Sequence, residues 1–265
     1  MFSTWQLLKK YSSYYFTALN GKGHGIHSPF VYDFVRQVLI DKRNFYAYNQ
    51  VEALRQKLLR DNTLIEVEDF GAGSTINKTN QRTISSIAQH SAKSKKWAQL
   101  LFRIVNYYQP KNILELGTSL GISTAYMSLA NPKARLITAE GSAAVAAQAS
   151  RNFQLLQLSS IQQVVGNFDD TLPGILDAVS PLDLVFIDGN HRYEPTVRYF
   201  NQLLPHLNAT SVVIFDDIHW SPEMEQAWAA IKEHSSVQLS VDLFFIGLLF
   251  FRDDFKVKQD FTIRF

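Results

Sequence analysis

Residues 115–121 read ELGTSLG. An acidic residue followed by closely spaced glycines is how many nucleotide-cofactor loops begin. Such a loop needs a strand before it, a helix after it, and a carboxylate at the end of the next strand to grip a ribose. All three are legible here. Residues 112–116 form a short apolar run that predicts a strand, and 121–130 predict an apolar helix. The following run, ARLITAE, ends at Glu140. A second stretch, EDFGAGST at 68–75, has the same look but lacks this setting. It has a possible short strand before it, at 64–67, but INKTNQRT after it is polar and aperiodic, and no acidic residue lies between Asp69 and Glu115. The loop at 115–121 is therefore the cofactor loop, and 68–75 is read as a tight turn whose glycines serve backbone geometry.

Working outward, short apolar runs alternate with helical segments after residue 110. The runs are 112–116, 135–139, 163–165, 183–188, 211–215, 238–245 and 247–251. The first five are spaced by segments long enough for a helix, which is βαβ grammar and implies a parallel sheet covered on both faces. The last two are nearly adjacent and predict an antiparallel hairpin. The expectation is an α/β fold: a Rossmann-like, seven-stranded sheet of five parallel strands plus a C-terminal hairpin. A plain dinucleotide-binding fold would not end in that hairpin; an S-adenosylmethionine methyltransferase sheet does.

The first third reads as helices. Trp5, Leu8, Tyr11, Tyr15 and Leu19 fall at helical spacing. After a glycine-rich turn, Ser28 looks like an N-cap with Pro29 at the first helical position of a helix running to residue 40. Residues 51–60 predict another helix, and 93–108 a further one ended by Pro110. Two parts follow: residues 1–92 as an N-terminal helical cover with a connecting loop, and 93–265 as the cofactor-binding domain.

Composition excludes several classes. The chain has 265 residues, 46% hydrophobic, enough for a sizeable core. A net charge of +2 without a basic stripe argues against a nucleic-acid partner. No cysteine is present, so thiolate metal sites and cysteine nucleophiles are excluded. No apolar run approaches the ~20 residues needed to span a bilayer, and MFSTWQLLKK lacks the order of a signal peptide. The expected location is cytoplasmic.

The glycines at Gly117 and Gly121 are spaced G-x-x-x-G rather than G-x-G-x-x-G. This argues against a pyrophosphate cradle and hence against NAD or FAD. A carboxylate at Glu115 suits the positive amino end of a methionine moiety and is a poor neighbour for a phosphate. The implied cofactor is S-adenosylmethionine.

Further on, Asp188 ends the run DLVFID, and Asp216 and Asp217 end SVVIFDD. Neighbouring parallel strands would bring these three to the carboxyl edge of the sheet, where ligands of open α/β sheets bind. Clustered carboxylates repel unless protonated or metal-bound, and a hard ion such as Mg²⁺ or Ca²⁺ prefers oxygen ligands. The alternative is that Asp188 caps a strand while Asp216 and Asp217 cap the following turn. His191 lies three residues past Asp188 and is the best candidate for a general base; His219, in DDIHW, competes for that role or supports it. His24 and His27 are placed near the acceptor pocket without a catalytic role.

The stretches ILELGTSLGIST, LITAE and LDLVFIDGNHRYE…VVIFDDIHW resemble the class I S-adenosylmethionine-dependent O-methyltransferases of the catechol and caffeoyl-CoA type. They resemble the macrolide-sugar O-methyltransferases more closely still. The resemblance covers about 93–251. It implies that Glu115, Gly117, Thr118, Ser119 and Gly121 surround the methionine moiety and that Glu140, followed by Gly141, takes the ribose hydroxyls. Asn167, Phe168 and Asp169 would run along the adenine. Asp188, Asp216 and Asp217 would carry a divalent ion, with Asp188 also beside the cofactor and His191 as base. The implied acceptor is a small molecule bearing a hydroxyl, and a homodimer is left open. Metal-independent O- or N-methyl transfer, and cofactor binding without turnover, stay as alternatives.

Overall fold

In the computed structural model, which describes residues 1–68 and 80–265, the apolar runs fold as strands and the periodic segments between them as helices. In chain order the elements are α1 (Thr4–Thr17), α2 (Pro29–Phe34), α3 (Tyr46–Leu58), β1 (Leu64–Glu66), β2 (Gln81–Thr83), α4 (Ile84–His90) and α5 (Lys95–Tyr108). There follow β3 (Asn112–Leu116), α6 (Ile122–Ala130), β4 (Arg135–Glu140), α7 (Ala143–Leu155), β5 (Ile161–Val165), α8 (Phe168–Ala178) and β6 (Leu182–Ile187). The chain closes with α9 (Tyr193–Leu203), β7 (Leu207–Asp216), α10 (Pro222–Glu233), β8 (Leu239–Asp242), β9 (Ile246–Phe250) and β10 (Gln259–Thr262). The class is α/β, a mostly parallel sheet with antiparallel strands added. Residues 42–179 form one compact unit, and 1–41 with 180–265 another.

In the unit 42–179, β3, β4 and β5 pair in parallel, with Leu114 opposite Ile137 and Ile137 opposite Gln162. Ile113, Leu114, Leu116, Leu136, Ile137 and Ala139 are buried, as expected of strands covered on both faces. Helix α5 ends where Gln109 turns left-handed (φ 49°) ahead of Pro110, which cannot continue it. Gly121 caps α6 at φ +78°, and a Cβ there would lie 2.4 Å from Cε1 of Phe153. Glycine is required for both reasons. Gly121→Ala should cost about 2–3 kcal/mol of folding stability through the strained φ and the crowded ring. A urea denaturation midpoint unchanged from wild type would contradict this.

The strand expected at 64–67 is present as β1, paired antiparallel with β2. Neither β2 nor α4 was expected, since both are short and largely polar. Of the stretch 68–75, residues 69–75 lie outside the described residues, so the turn expected there is not described.

In the other unit the strand order is β10-β8-β9-β7-β6. Strands β6 and β7 are parallel, while β9 runs antiparallel to both β7 and β8. The expected C-terminal hairpin is thus present. The strand count is larger than expected, because β10 adds in parallel to β8. Its four residues, QDFT, alternate in exposure and carry too little apolar pattern to be read as a strand. Helix α1 leans on this unit through Tyr14 and Ala18 against Phe244, and the Tyr14 hydroxyl donates to the Ile263 carbonyl at 2.5 Å. Ser28 stands at the N-cap of α2 with Pro29 following, as expected, but its side chain makes no capping hydrogen bond.

Candidate functional site

In the unit 42–179 the loop between β3 and α6 is wound tightly. Gly117 (φ 109°), Ser119 (φ 48°) and Gly121 (φ 78°) all lie in the left-handed region. The amides of Gly117 and Thr118 both donate to the Ala139 carbonyl, at 2.9 and 3.1 Å, which ties the loop to the end of β4. There Glu140 is held from two sides. Its Oε2 accepts from the Ser119 amide at 2.8 Å and its Oε1 from the Ser142 amide at 3.0 Å. An ionised carboxylate offers about four acceptor positions, and these two amides take one on each oxygen. Beside it the Ser119 hydroxyl is buried with no hydrogen-bond partner among the described residues. A buried unsatisfied hydroxyl is costly unless something not in the chain completes it.

Glu115 is fully buried. Its Oε1 accepts from the Ser123 hydroxyl at 2.6 Å, and its Oε2 from the hydroxyls of Thr138, at 2.6 Å, and Thr124. Thr138 spends its one proton on Glu115, so in the 2.6 Å contact with Thr118 it is Thr118 that donates. The carboxyl group thereby knots β3, β4, the loop and the first turn of α6 together. The sequence placed an acid here but gave no sign of these three donors, which come from β4 and the first turn of α6.

The stretch 166–169 joins the same corner. The Gly166 amide donates to the Glu140 carbonyl at 2.9 Å. Asn167 caps α8 by accepting from the Asp169 amide at 3.1 Å, while Phe168 is half-buried and Asp169 exposed. Glu115, Gly117, Thr118, Ser119, Gly121, Glu140, Gly141 and the 167–169 turn therefore cluster at the carboxyl ends of β3, β4 and β5. That is where open α/β sheets bind ligands.

The other candidates lie in the second unit. Ile187 on β6 pairs with Phe215 on β7, so Asp188 and Asp216 follow paired positions at neighbouring strand ends. Asp216 is 2% exposed, and Asp217 adopts φ +54°. His191 Nε2 stands 3.6 Å from Asp188 Oδ1, within ion-pair range but longer than a hydrogen bond. Asn190 (φ 69°) and His191 (φ 32°) are both left-handed. Such conformations in non-glycine residues cluster at functional sites. Asn190 is pinned from both sides: its Nδ2 donates to the Tyr199 hydroxyl at 3.0 Å, and its Oδ1 accepts from Arg192 Nε at 2.8 Å. Among the described residues, no group of three or more His, Asp or Glu side chains is placed to hold a metal ion.

His219 sits between two carboxylates. Its Nδ1 meets Glu225 Oε1 at 2.9 Å and its Nε2 meets Asp242 Oδ2 at 2.8 Å, with the ring stacked on Phe244. Burial lowers the pKa of its ring, but hydrogen bonds and charge from Asp242 and Glu225 outweigh it, and the net shift is upward. Glu225 also takes Lys10 of α1 at 2.9 Å. Both ring nitrogens are thus engaged by carboxylates, which favours the charged form of the ring. His24 and His27 are exposed.

Residues 114–218 match the family profile described as a methyltransferase domain. Over 126 residues the chain is 36% identical to a catechol O-methyltransferase of Niastella koreensis, covering 46% of this chain and 55% of that one. The chain thus spans about half the length of this curated relative. Among solved structures, an SAH-bound methyltransferase of Podospora anserina superposes with a TM-score of 0.59 at 14% identity, over 96% of this chain and 98% of that one. An O-methyltransferase of Bacillus cereus in complex with SAH gives 0.56 at 20% identity, over 82% and 96%. These likenesses show the Rossmann-like methyltransferase fold.

Proposed function

We propose that the chain, with its methyltransferase-domain match at 114–218, is an S-adenosylmethionine-dependent O-methyltransferase acting on a small molecule in the cytoplasm. One observation carries the reading. Glu140 is clamped by two backbone amides at the end of β4, next to a buried Ser119 hydroxyl without a partner among the described residues. A carboxylate fixed in this way is ready to accept from a vicinal diol, and the orphaned hydroxyl awaits a polar group of a ligand.

When bound, S-adenosylmethionine supplies a methyl group activated on a sulfonium. Glu140 holds the ribose hydroxyls, and Gly117, Thr118 and Ser119 line the methionine moiety. Glu115 fixes the loop through its three hydroxyl partners and lends negative charge toward the methionine amino group. The turn 167–169 borders the adenine. His191 takes the proton of the acceptor hydroxyl, and Asp188, facing its Nε2 at 3.6 Å, favours the charged ring that results. Methyl transfer needs little more, because holding donor and oxygen in line can itself supply ~7–11 kcal/mol of the barrier. Acceptor choice falls to the helices of residues 1–92, outside the matched stretch.

Assistance by Mg²⁺ or Ca²⁺ is the finer part of the proposal. The donor set is chemically suitable: Asp188, Asp216 and Asp217 are all-oxygen ligands, and a hard cation held there would acidify the acceptor hydroxyl. The register of β6 and β7 supports it for Asp188 and Asp216. The second reading is metal-independent methyl transfer, in which the three acids are structural.

The test of the cofactor site is calorimetric. Glu140→Ala should weaken S-adenosylhomocysteine binding at least tenfold, as expected for charge-assisted bonds worth ~1.5–3 kcal/mol each. An unchanged affinity would mean the ribose is held elsewhere.

A further inference from the structure

Helix α1 has two apolar faces, and only one of them is used. Leu7, Tyr11, Tyr14 and Ala18 point inward, with the Tyr11 ring edge-on to Phe244 at 5.1 Å. Trp5, Leu8, Tyr15 and Phe16 point outward, at 80%, 53%, 48% and 82% exposure. At roughly 100° per residue these four fall in one sector about 100° wide on the far side of the helix. Singly exposed apolar side chains are ordinary, but four large ones on one face of a helix, three of them aromatic and broken only by Ser12, mark a site of interaction.

The charge around the stripe says what it meets. The first acidic residue of the chain is Asp33, so α1 and its flanks carry only Lys9, Lys10 and Lys22. Lys9 is exposed at the edge of the stripe. The Arg264 guanidinium lies 5.1 Å from the centre of the Tyr15 ring and adds positive charge there. Lys10 is paired with Glu225, which offsets its charge. Aromatic side chains bordered by Lys9 and Arg264 match the boundary between headgroups and acyl chains of an anionic bilayer. The area argues against a second copy of the chain. A helix of 14 residues is about 21 Å long and about 10 Å across, a footprint of roughly 200 Å² against the ~800 Å² per partner of a stable dimer. No helix among the described residues is long and apolar enough to cross a membrane, so the contact is peripheral.

We propose that the outward face of α1 docks the protein on anionic lipid bilayers, with Trp5 and Phe16 entering the interface and Lys9 and Arg264 at the headgroups. The full chain should co-sediment with phosphatidylglycerol–phosphatidylcholine vesicles at least tenfold more tightly than with phosphatidylcholine alone. Raised salt should weaken the binding. The double variant Trp5→Ser/Phe16→Ser removes no inward contact, and circular dichroism melting checks that it folds. It should lower vesicle binding at least tenfold. Equal binding to both vesicle types, or full binding by the double variant, would overturn the proposal. So would a concentration-dependent dimer that the double variant abolishes, because the face would then be a self-association surface.

Discussion

Glu115→Ala should lower folding stability by about 3–4 kcal/mol. The carboxyl group is fully buried and takes three hydroxyl protons, from Ser123, Thr124 and Thr138. Hydrogen bonds to a charged group are worth ~1.5–3 kcal/mol each, and relief from burying the carboxylate offsets part of the loss. The hydroxyls left behind sit on two elements, α6 and β4, and cannot all find new partners in a packed interior. Glu115→Gln should lose less, since hydroxyls can turn and accept from the amide. Urea denaturation measures both. A loss under about 1 kcal/mol for the alanine variant would show that the knot is not structural, and would leave Glu115 to the cofactor alone.

The second large effect concerns the carboxylates of β6 and β7. With a catechol as trial acceptor, excess chelator should abolish methyl transfer more than a hundredfold. S-adenosylhomocysteine binding should stay within about twofold, and Mg²⁺ should restore turnover. The physical ground is that an aliphatic or phenolic hydroxyl is a weak nucleophile until its proton is made easier to remove. Full turnover in chelator would transfer the burden to His191 with Asp188 and establish the metal-independent reading.

The parallel strands β3, β4 and β6 were legible because they are buried on both faces and read as apolar runs, whereas β5, half-exposed and carrying two glutamines, was read only from residue 163. The run at 112–116 coincides with β3, and the closing hairpin follows from two such runs lying almost end to end. β10 escaped notice for the opposite reason: as a short strand at the end of the β10-β8-β9-β7-β6 order it carries an alternating, half-polar pattern. In the cofactor corner, Glu140 was legible as the acid ending a strand. Its two amide donors were not, since Ser119 and Ser142 reach it only once the loop has closed. His219 was visible as a histidine, but its partner Asp242 lies 23 positions away, on β8, and nothing local announces it. Helix α1 was legible from its spacing. Which of its two aromatic faces would be buried was not, because both carry the same chemistry.

The most direct test of the cofactor assignment is isothermal calorimetry of the full chain with S-adenosylhomocysteine and, separately, with NAD. The account predicts one site of micromolar affinity for S-adenosylhomocysteine and no heat with NAD. No binding of S-adenosylhomocysteine, or an equal affinity for NAD, would contradict it.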